Sequence, residues 1–141
     1  MRQCFPICAA VLFLALVAGC GSSTFDDSDQ IVSVDKTVNA TDLKRVTTHL
    51  LAQAPQIRAE QERLVKGGKK VRLTLSILAA PEPAYTKNDP DYRYHANYYW
   101  IYVSYSSKEG LVKYKTYLVE KDLADVYVVD SDTDTFVKVG R

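Results

Sequence analysis

The spacing of apolar residues changes once along this chain, at Lys70, and that change limits the folds the chain can adopt. Before Lys70, apolar residues recur three, four or seven positions apart, as on one face of a helix: Leu43, Val46, Leu50, Ala54, Ile57 and Leu64. After Lys70 the apolar residues alternate with polar ones, as on one face of a strand: Val71, Leu73, Leu75, Ile77 and Ala79. The sequence therefore predicts a helix followed by strands that each bury one face.

The helical segment has recognisable ends and one interruption. Asn39 or Thr41 can cap its first turn, and Gly67 with Gly68 would end it. Pro55 lies inside the pattern, lacks an N–H group and clashes with the preceding turn. We therefore expect either a kink or two helices, with Pro55 opening the second. Three lysines near the end are interpreted as a charge complement to the helix terminus rather than as a binding site: Lys66, Lys69 and Lys70.

Two β-hairpins are predicted in the C-terminal half. Residues 98–105 and 111–120 have high strand propensity, and we expect them to pair with Tyr105 opposite Val112 and Trp100 opposite Tyr117. Residues 126–129 and 136–139 flank a polar turn at residues 130–135 and form the second hairpin. This register predicts five rings and three lysines on the sheet face away from the helix: Tyr98, Trp100, Tyr102, Tyr117, Tyr127, Lys113, Lys115 and Lys138.

These elements predict an α+β domain over residues 39–141, in which one long or Pro55-kinked N-terminal helix packs on a four- to five-stranded antiparallel sheet. Apolar residues between positions 31 and 38 could add a short edge strand. The order of elements is similar to that of the cystatin-like and NTF2-like folds. That resemblance implies a sheet curled round the helix.

The N-terminus has the pattern of an export signal. Arg2 precedes an apolar run at residues 7–17, which is shorter than the roughly 20 residues that a membrane span needs. The run ends at residues 17–20, Val-Ala-Gly-Cys, a string that resembles the lipobox of bacterial lipoproteins. The resemblance implies removal of residues 1–19, lipidation of Cys20 and a tether over residues 20–38. It also implies an outer-membrane, periplasm-facing location, because Gly21 rather than Asp follows the cysteine.

The cysteine count and the charge balance limit the classes of partner. Cys4 and Cys8 would leave with the signal and Cys20 would carry the lipid, so no thiol remains for a disulfide. The chain has 18 Lys and Arg against 17 Asp and Glu, and loss of Arg2 would make these numbers equal. A balanced charge provides no field that would recruit nucleic acid.

Motifs for catalysis are absent from the sequence. There is no phosphate loop, no nucleophile elbow and no zinc spacing, and the histidines, His49 and His95, are isolated from one another. Asp130, Asp132 and Asp134 match the start of a calcium loop, but position six is threonine and position twelve is arginine, so we expect an ordinary turn. The sequence predicts a protein that is not an enzyme and holds no cofactor or metal.

The aromatic surplus is the remaining functional signal. We expect the ring-rich and lysine-rich sheet face, together with the loop at residues 80–93 that carries Tyr85 and Tyr92, to bind an envelope protein or a glycan. An alternative is a periplasmic inhibitor or immunity protein that blocks a toxin or hydrolase with this loop. A pocket enzyme ranks third, and a buried carboxylate in a polar cavity would favour it.

Overall fold

The computed structural model describes residues 28–84 and 88–140. Its elements are β1 (Gln30–Ser33), α1 (Ala40–Gln53), α2 (Gln56–Lys66), β2 (Arg72–Ala79), α3 (Tyr92–Asn97), β3 (Tyr98–Ser107), β4 (Gly110–Glu120), β5 (Val126–Asp130) and β6 (Thr135–Val139). The predicted signal, Cys20 and Tyr85 lie outside the described residues. Among the described residues, no helix is long and apolar enough to cross a membrane.

The six strands form one sheet in the order β1-β2-β3-β4-β5-β6. β1 pairs with β2 in parallel, and every other neighbouring pair is antiparallel. The predicted α+β class is confirmed, but the sheet is mixed and has more strands than predicted. Part of the difference is β1, which takes residues 30–33 of the predicted tether segment into the sheet as its edge strand.

The helical segment forms two helices, which was one of the two alternatives expected at Pro55, so the single long or kinked helix is wrong. Asn39 caps α1, because its side-chain oxygen accepts a 2.8 Å hydrogen bond from the Asp42 amide. The last helical bond runs from the Ala54 amide to the Leu50 carbonyl. Pro55 has no N–H to donate to the next carbonyl, that of Leu51, so α1 stops and α2 starts immediately after the proline.

The main core lies between the helices and one face of the sheet. Val46, Leu50 and Ile57 of the helical segment pack with alternate residues of the central strands, namely Leu73, Leu75, Ile77, Tyr99, Ile101, Val103, Tyr105, Tyr117 and Val119. The Tyr105 hydroxyl donates a 2.9 Å hydrogen bond to the Ile57 carbonyl. This face of the sheet is called the inner face below, and the opposite face the outer face.

The register of β3 and β4 differs from the predicted one by one residue. Tyr105 lies opposite Lys113, but Ser106 lies opposite Leu111, so Val112 is an extra residue that forms a bulge. Trp100 consequently faces Leu118 instead of Tyr117. Because successive side chains alternate between faces, three predicted outer-face residues lie on the inner side instead: Lys113, Lys115 and Tyr117.

Candidate binding face

The loop end of the outer face carries a covered ring cluster, which consists of Tyr94, Tyr98, Tyr127 and Phe136. The short helix α3 brings Tyr94 over the sheet, where its ring centroid lies 4.1 Å from that of Phe136, 5.6 Å from that of Tyr98 and 5.8 Å from that of Tyr127. Tyr98 and Tyr127 also meet edge to face at 5.7 Å. Burial raises the pKa of Tyr98 to about 12, so its hydroxyl stays neutral. These rings form a second, smaller core.

Trp100 lies at the edge of this cluster and is half-buried. Its ring stacks on His95 of α3, with centroids 4.7 Å apart and planes 11° apart, and meets Phe136 edge to face at 5.9 Å. Leu118 lies opposite both Trp100 and Tyr127 and is 0% exposed. The indole N–H is buried and finds no acceptor among the described residues. Trp100 therefore contributes to the second core as well as to the surface.

An open ring pair, Tyr102 with Tyr114, occupies the outer face beyond Trp100. The two rings stack with centroids 5.2 Å apart and planes 21° apart, and Tyr114 is 54% exposed. The registers join strands β1 to β4 into two rows that contain the pair, one running Gln30, Thr74, Ser104 and Tyr114, the other Val32, Ser76, Tyr102 and Thr116. They are called the hydroxyl rows below, because all members except Gln30 and Val32 carry a hydroxyl group. Neither row contains a charged residue, and one cation lies at the edge, where the Arg72 guanidinium donates to the Gln30 side chain, so this surface is mainly aromatic and hydroxylated.

The predicted basic component of the outer face is largely missing. Lys113 and Lys115 lie on the inner side, as the register requires. Lys138 does lie on the outer face opposite Tyr127, but its ammonium pairs with the Asp125 carboxylate at 2.7 Å. Arg93 places a cation against the cluster, because its guanidinium carbon lies 4.5 Å from the centre of the Tyr94 ring.

Lys113, Lys115 and Tyr117 instead line a cleft of about 130 Å³ with Gln56, Glu60 and Tyr105. Glu60 accepts two 2.8 Å hydrogen bonds from Arg63 and one of 3.1 Å from Lys113. These hydrogen bonds lower the pKa of Glu60 to about 2, and the two from Arg63 have the largest effect. At neutral pH Glu60 is therefore an ionised structural partner, because a general acid would need a raised pKa.

Replacing Glu60 with glutamine should remove part of the acid sensitivity of folding. The unfolded carboxyl titrates near its ordinary value of 4.5, whereas the folded one titrates at about 2. The charged form thus contributes stability above about pH 4.5, and the contribution is lost as the pH falls towards about 2. In thermal unfolding, the melting temperature of Glu60→Gln should be lower than that of the wild type at neutral pH and equal to it near pH 2. Glu62→Gln, an exposed change on the same helix, is the control, and a Glu60→Gln deficit that persists unchanged at low pH contradicts the assignment.

The other predicted site residues and turns are placed as follows. Tyr92 is half-buried at the start of α3, which takes up the end of the predicted loop at residues 80–93. The turn after β5 is present, and the Asp130 carboxylate accepts a 2.9 Å bond from the Asp132 amide. Among the described residues, no cluster of His, Cys, Asp or Glu is arranged to hold a metal ion.

Sequence reasoning missed four residues of the outer face: Tyr94, His95, Tyr114 and Phe136. Tyr94 and His95 depend on α3, whose signal is weak because the helix has six residues. Asp89 and Asp91 before it are residue types that favour a helix start. Tyr114 depends on the bulge, and Phe136 becomes relevant only because β6 brings it next to α3.

Protein-family models give no match, and neither curated proteins nor solved structures give a significant one.

Proposed function

We propose that this chain is a non-enzymatic, lipid-anchored protein of the outer membrane whose domain binds an envelope component through the open ring pair and the hydroxyl rows. One observation carries the proposal: a stacked tyrosine pair, in which Tyr114 is 54% exposed and Tyr102 is half-buried, lies on the sheet face beyond the rings that pack against α3. An exposed apolar surface of this kind is costly unless a partner uses it. The anchor is Cys20, by its resemblance to a lipobox.

Of the two ligand classes expected from the sequence, a glycan fits the open ring pair better than a protein does. A sugar ring has an apolar C–H face and a hydroxylated edge, so it is complemented by a flat ring with hydroxyl groups beside it. Tyr102 and Tyr114 supply the rings, and the neighbouring Thr74, Ser76 and Thr116 supply groups that both donate and accept. The absence of charge in both rows favours a neutral glycan strand over an acidic ligand.

Co-sedimentation with insoluble cell-wall glycan tests the proposal. Tyr114→Ala is expected to weaken binding at least about tenfold, because loss of one stacking ring costs about 1.4 kcal/mol or more. Val137→Ala, which removes an exposed apolar side chain from β6, is the control and should bind as the wild type. Equal binding by wild type and Tyr114→Ala contradicts a glycan role. Capture of an envelope protein that only Tyr114→Ala loses would assign the surface to a protein partner.

The anchor is tested separately with Cys20→Ser. The substituted chain should accumulate as an uncleaved or soluble species, and mass spectrometry of the wild type should find acyl chains on an N-terminal Cys20. An unmodified N-terminus at another position contradicts lipidation without affecting the binding proposal.

A periplasmic inhibitor remains the second proposal, and the base of the loop at residues 80–93 favours it. The Ala80 amide donates to the Asp35 carboxylate, and the Glu82 amide donates to the His95 carbonyl, both at 2.9 Å. A loop fixed at its base can be presented to an enzyme cleft at a low entropic cost. Shortening the loop should then abolish inhibition of a wall hydrolase, whereas Tyr114→Ala should leave inhibition intact.

A further inference from the structure

A basic end of the domain lies where α2 finishes and β3 turns into β4. Its lysines are exposed on three separate segments: Lys66 ends α2, Lys69 and Lys70 follow it, and Lys108 lies in the β3–β4 turn. Lys69, Lys70 and Lys108 line one open cleft of about 710 Å³, in which Glu109 is the single carboxylate. A charge complement to the helix dipole explains Lys66 and Lys69. It does not explain Lys108, which lies in the β3–β4 turn and not on a helix.

The same end carries two exposed apolar side chains. Val65 on the last turn of α2 is 53% exposed, and Leu111 beside the cleft is 52% exposed. Lysines around a few apolar side chains are the composition of surfaces that rest on anionic membranes. The acidic turn after β5 opens towards the same end of the sheet, because β5 and β6 repeat the antiparallel directions of β3 and β4, but it lies on the β6 side, four strands away from β2.

The chain enters the fold at this end. β1 is parallel to β2, and Gln30 lies opposite Thr74, so the start of β1 is beside the start of β2. Arg72 there donates a 3.1 Å hydrogen bond to the Gln30 side chain, and Arg58 of α2 holds Asp29 at 2.6 Å. Gln30 lies ten positions after Cys20 in the sequence. Ten residue steps reach at most about 35 Å.

We propose that the basic end docks on the anionic lipid headgroups of the membrane that holds the anchor. This inference rests on the lipidation of Cys20 that forms part of the proposed function. The short tether keeps this end close to the bilayer. There the lysine ammonium groups contact lipid phosphates, and the Val65 and Leu111 side chains contact the boundary between the headgroups and the acyl chains. The strands then rise from the membrane, α3 lies at the far end, and the open ring pair faces sideways, accessible to a glycan strand.

The test uses the full lipidated protein in vesicles, with a fluorescent label at one introduced cysteine. Val65→Cys labels the basic end, and Ala124→Cys, in the exposed loop after β4, labels the far end. Quenching by nitroxide-headgroup lipids should be at least about threefold stronger at position 65 than at position 124 in vesicles that contain phosphatidylglycerol. Salt at about 0.5 M reduces the electrostatic screening length to a few ångströms and should therefore remove most of this difference in quenching.

The combined charge reversal Lys69→Glu, Lys70→Glu and Lys108→Glu is the matching variant, with its thermal unfolding checked because all three positions are exposed. This variant should stay in the vesicle fraction because its lipid anchor is intact, but quenching at position 65 should no longer exceed quenching at position 124. Equal quenching at the two positions in the wild type, or a difference that survives charge reversal, overturns the docking proposal. Failure of the wild type to float with pure phosphatidylcholine vesicles would instead overturn the lipid anchor, so the two failures are distinguishable.

Discussion

Tyr117→Ala is expected to lower the free energy of unfolding by about 3–5 kcal/mol, the range for removing a large buried aromatic side chain. Tyr117 is 3% exposed and lies opposite Ile101 and Val128 in the main core. Burial also raises the pKa of its hydroxyl, so the ring enters the core uncharged. Urea unfolding followed by circular dichroism measures the loss.

Tyr114→Ala is the matched control, because it removes the same side chain from the same strand three residues away. With Tyr114 more than half exposed, the loss should stay within about 1 kcal/mol. The register expected from sequence predicts the reverse order, with Tyr114 inside and Tyr117 outside. A larger loss at Tyr114 would therefore restore the pairing of Tyr105 with Val112 and remove the open ring pair.

This pair of residues shows how far periodicity predicts a sheet. The alternation along β3 predicted its inner face correctly, since Tyr99, Ile101, Val103 and Tyr105 are all buried. The alternation could not reveal the bulge, because a valine is found both at bulged positions and at paired positions of a strand, so the residue type does not distinguish them. With a period of two residues, one extra residue inverts every later side chain of the strand. The error therefore exchanged the lysines and tyrosines of β4 between faces, although both strands were predicted.

The elements that sequence analysis left open, the short edge strand, or missed, α3, depend on contacts distant in the chain. β1 has four residues, and its place in the sheet comes from parallel pairing with β2 more than 40 residues later. α3 is shorter than two turns, so no 3.6-residue pattern can develop, and it is held by rings of β3, β5 and β6. The helical interruption at Pro55 was predictable because its cause, a missing N–H group, is local.

Tyr94→Ala should have the second large effect, a loss of about 2–3 kcal/mol, because the half-buried Tyr94 ring contacts three other rings and so holds α3 on the sheet. A six-residue helix is too short to persist in water without such packing. Loss of α3 docking should also withdraw His95 from Trp100 and expose the indole. Trp100 is the only tryptophan, so its fluorescence reports this change directly as a shift to longer wavelength.

Tyr92→Ala is the matched control, since it removes a tyrosine from the same short helix outside the covered ring cluster. It should leave the Trp100 emission in place and cost much less stability. At temperatures where Tyr94→Ala remains folded, its binding of cell-wall glycan should persist, because Tyr102 and Tyr114 stack on each other without α3. A Tyr94→Ala protein of wild-type stability would show that α3 does not hold the rings. Loss of glycan binding in folded Tyr94→Ala would instead extend the binding surface from the open ring pair into the covered ring cluster.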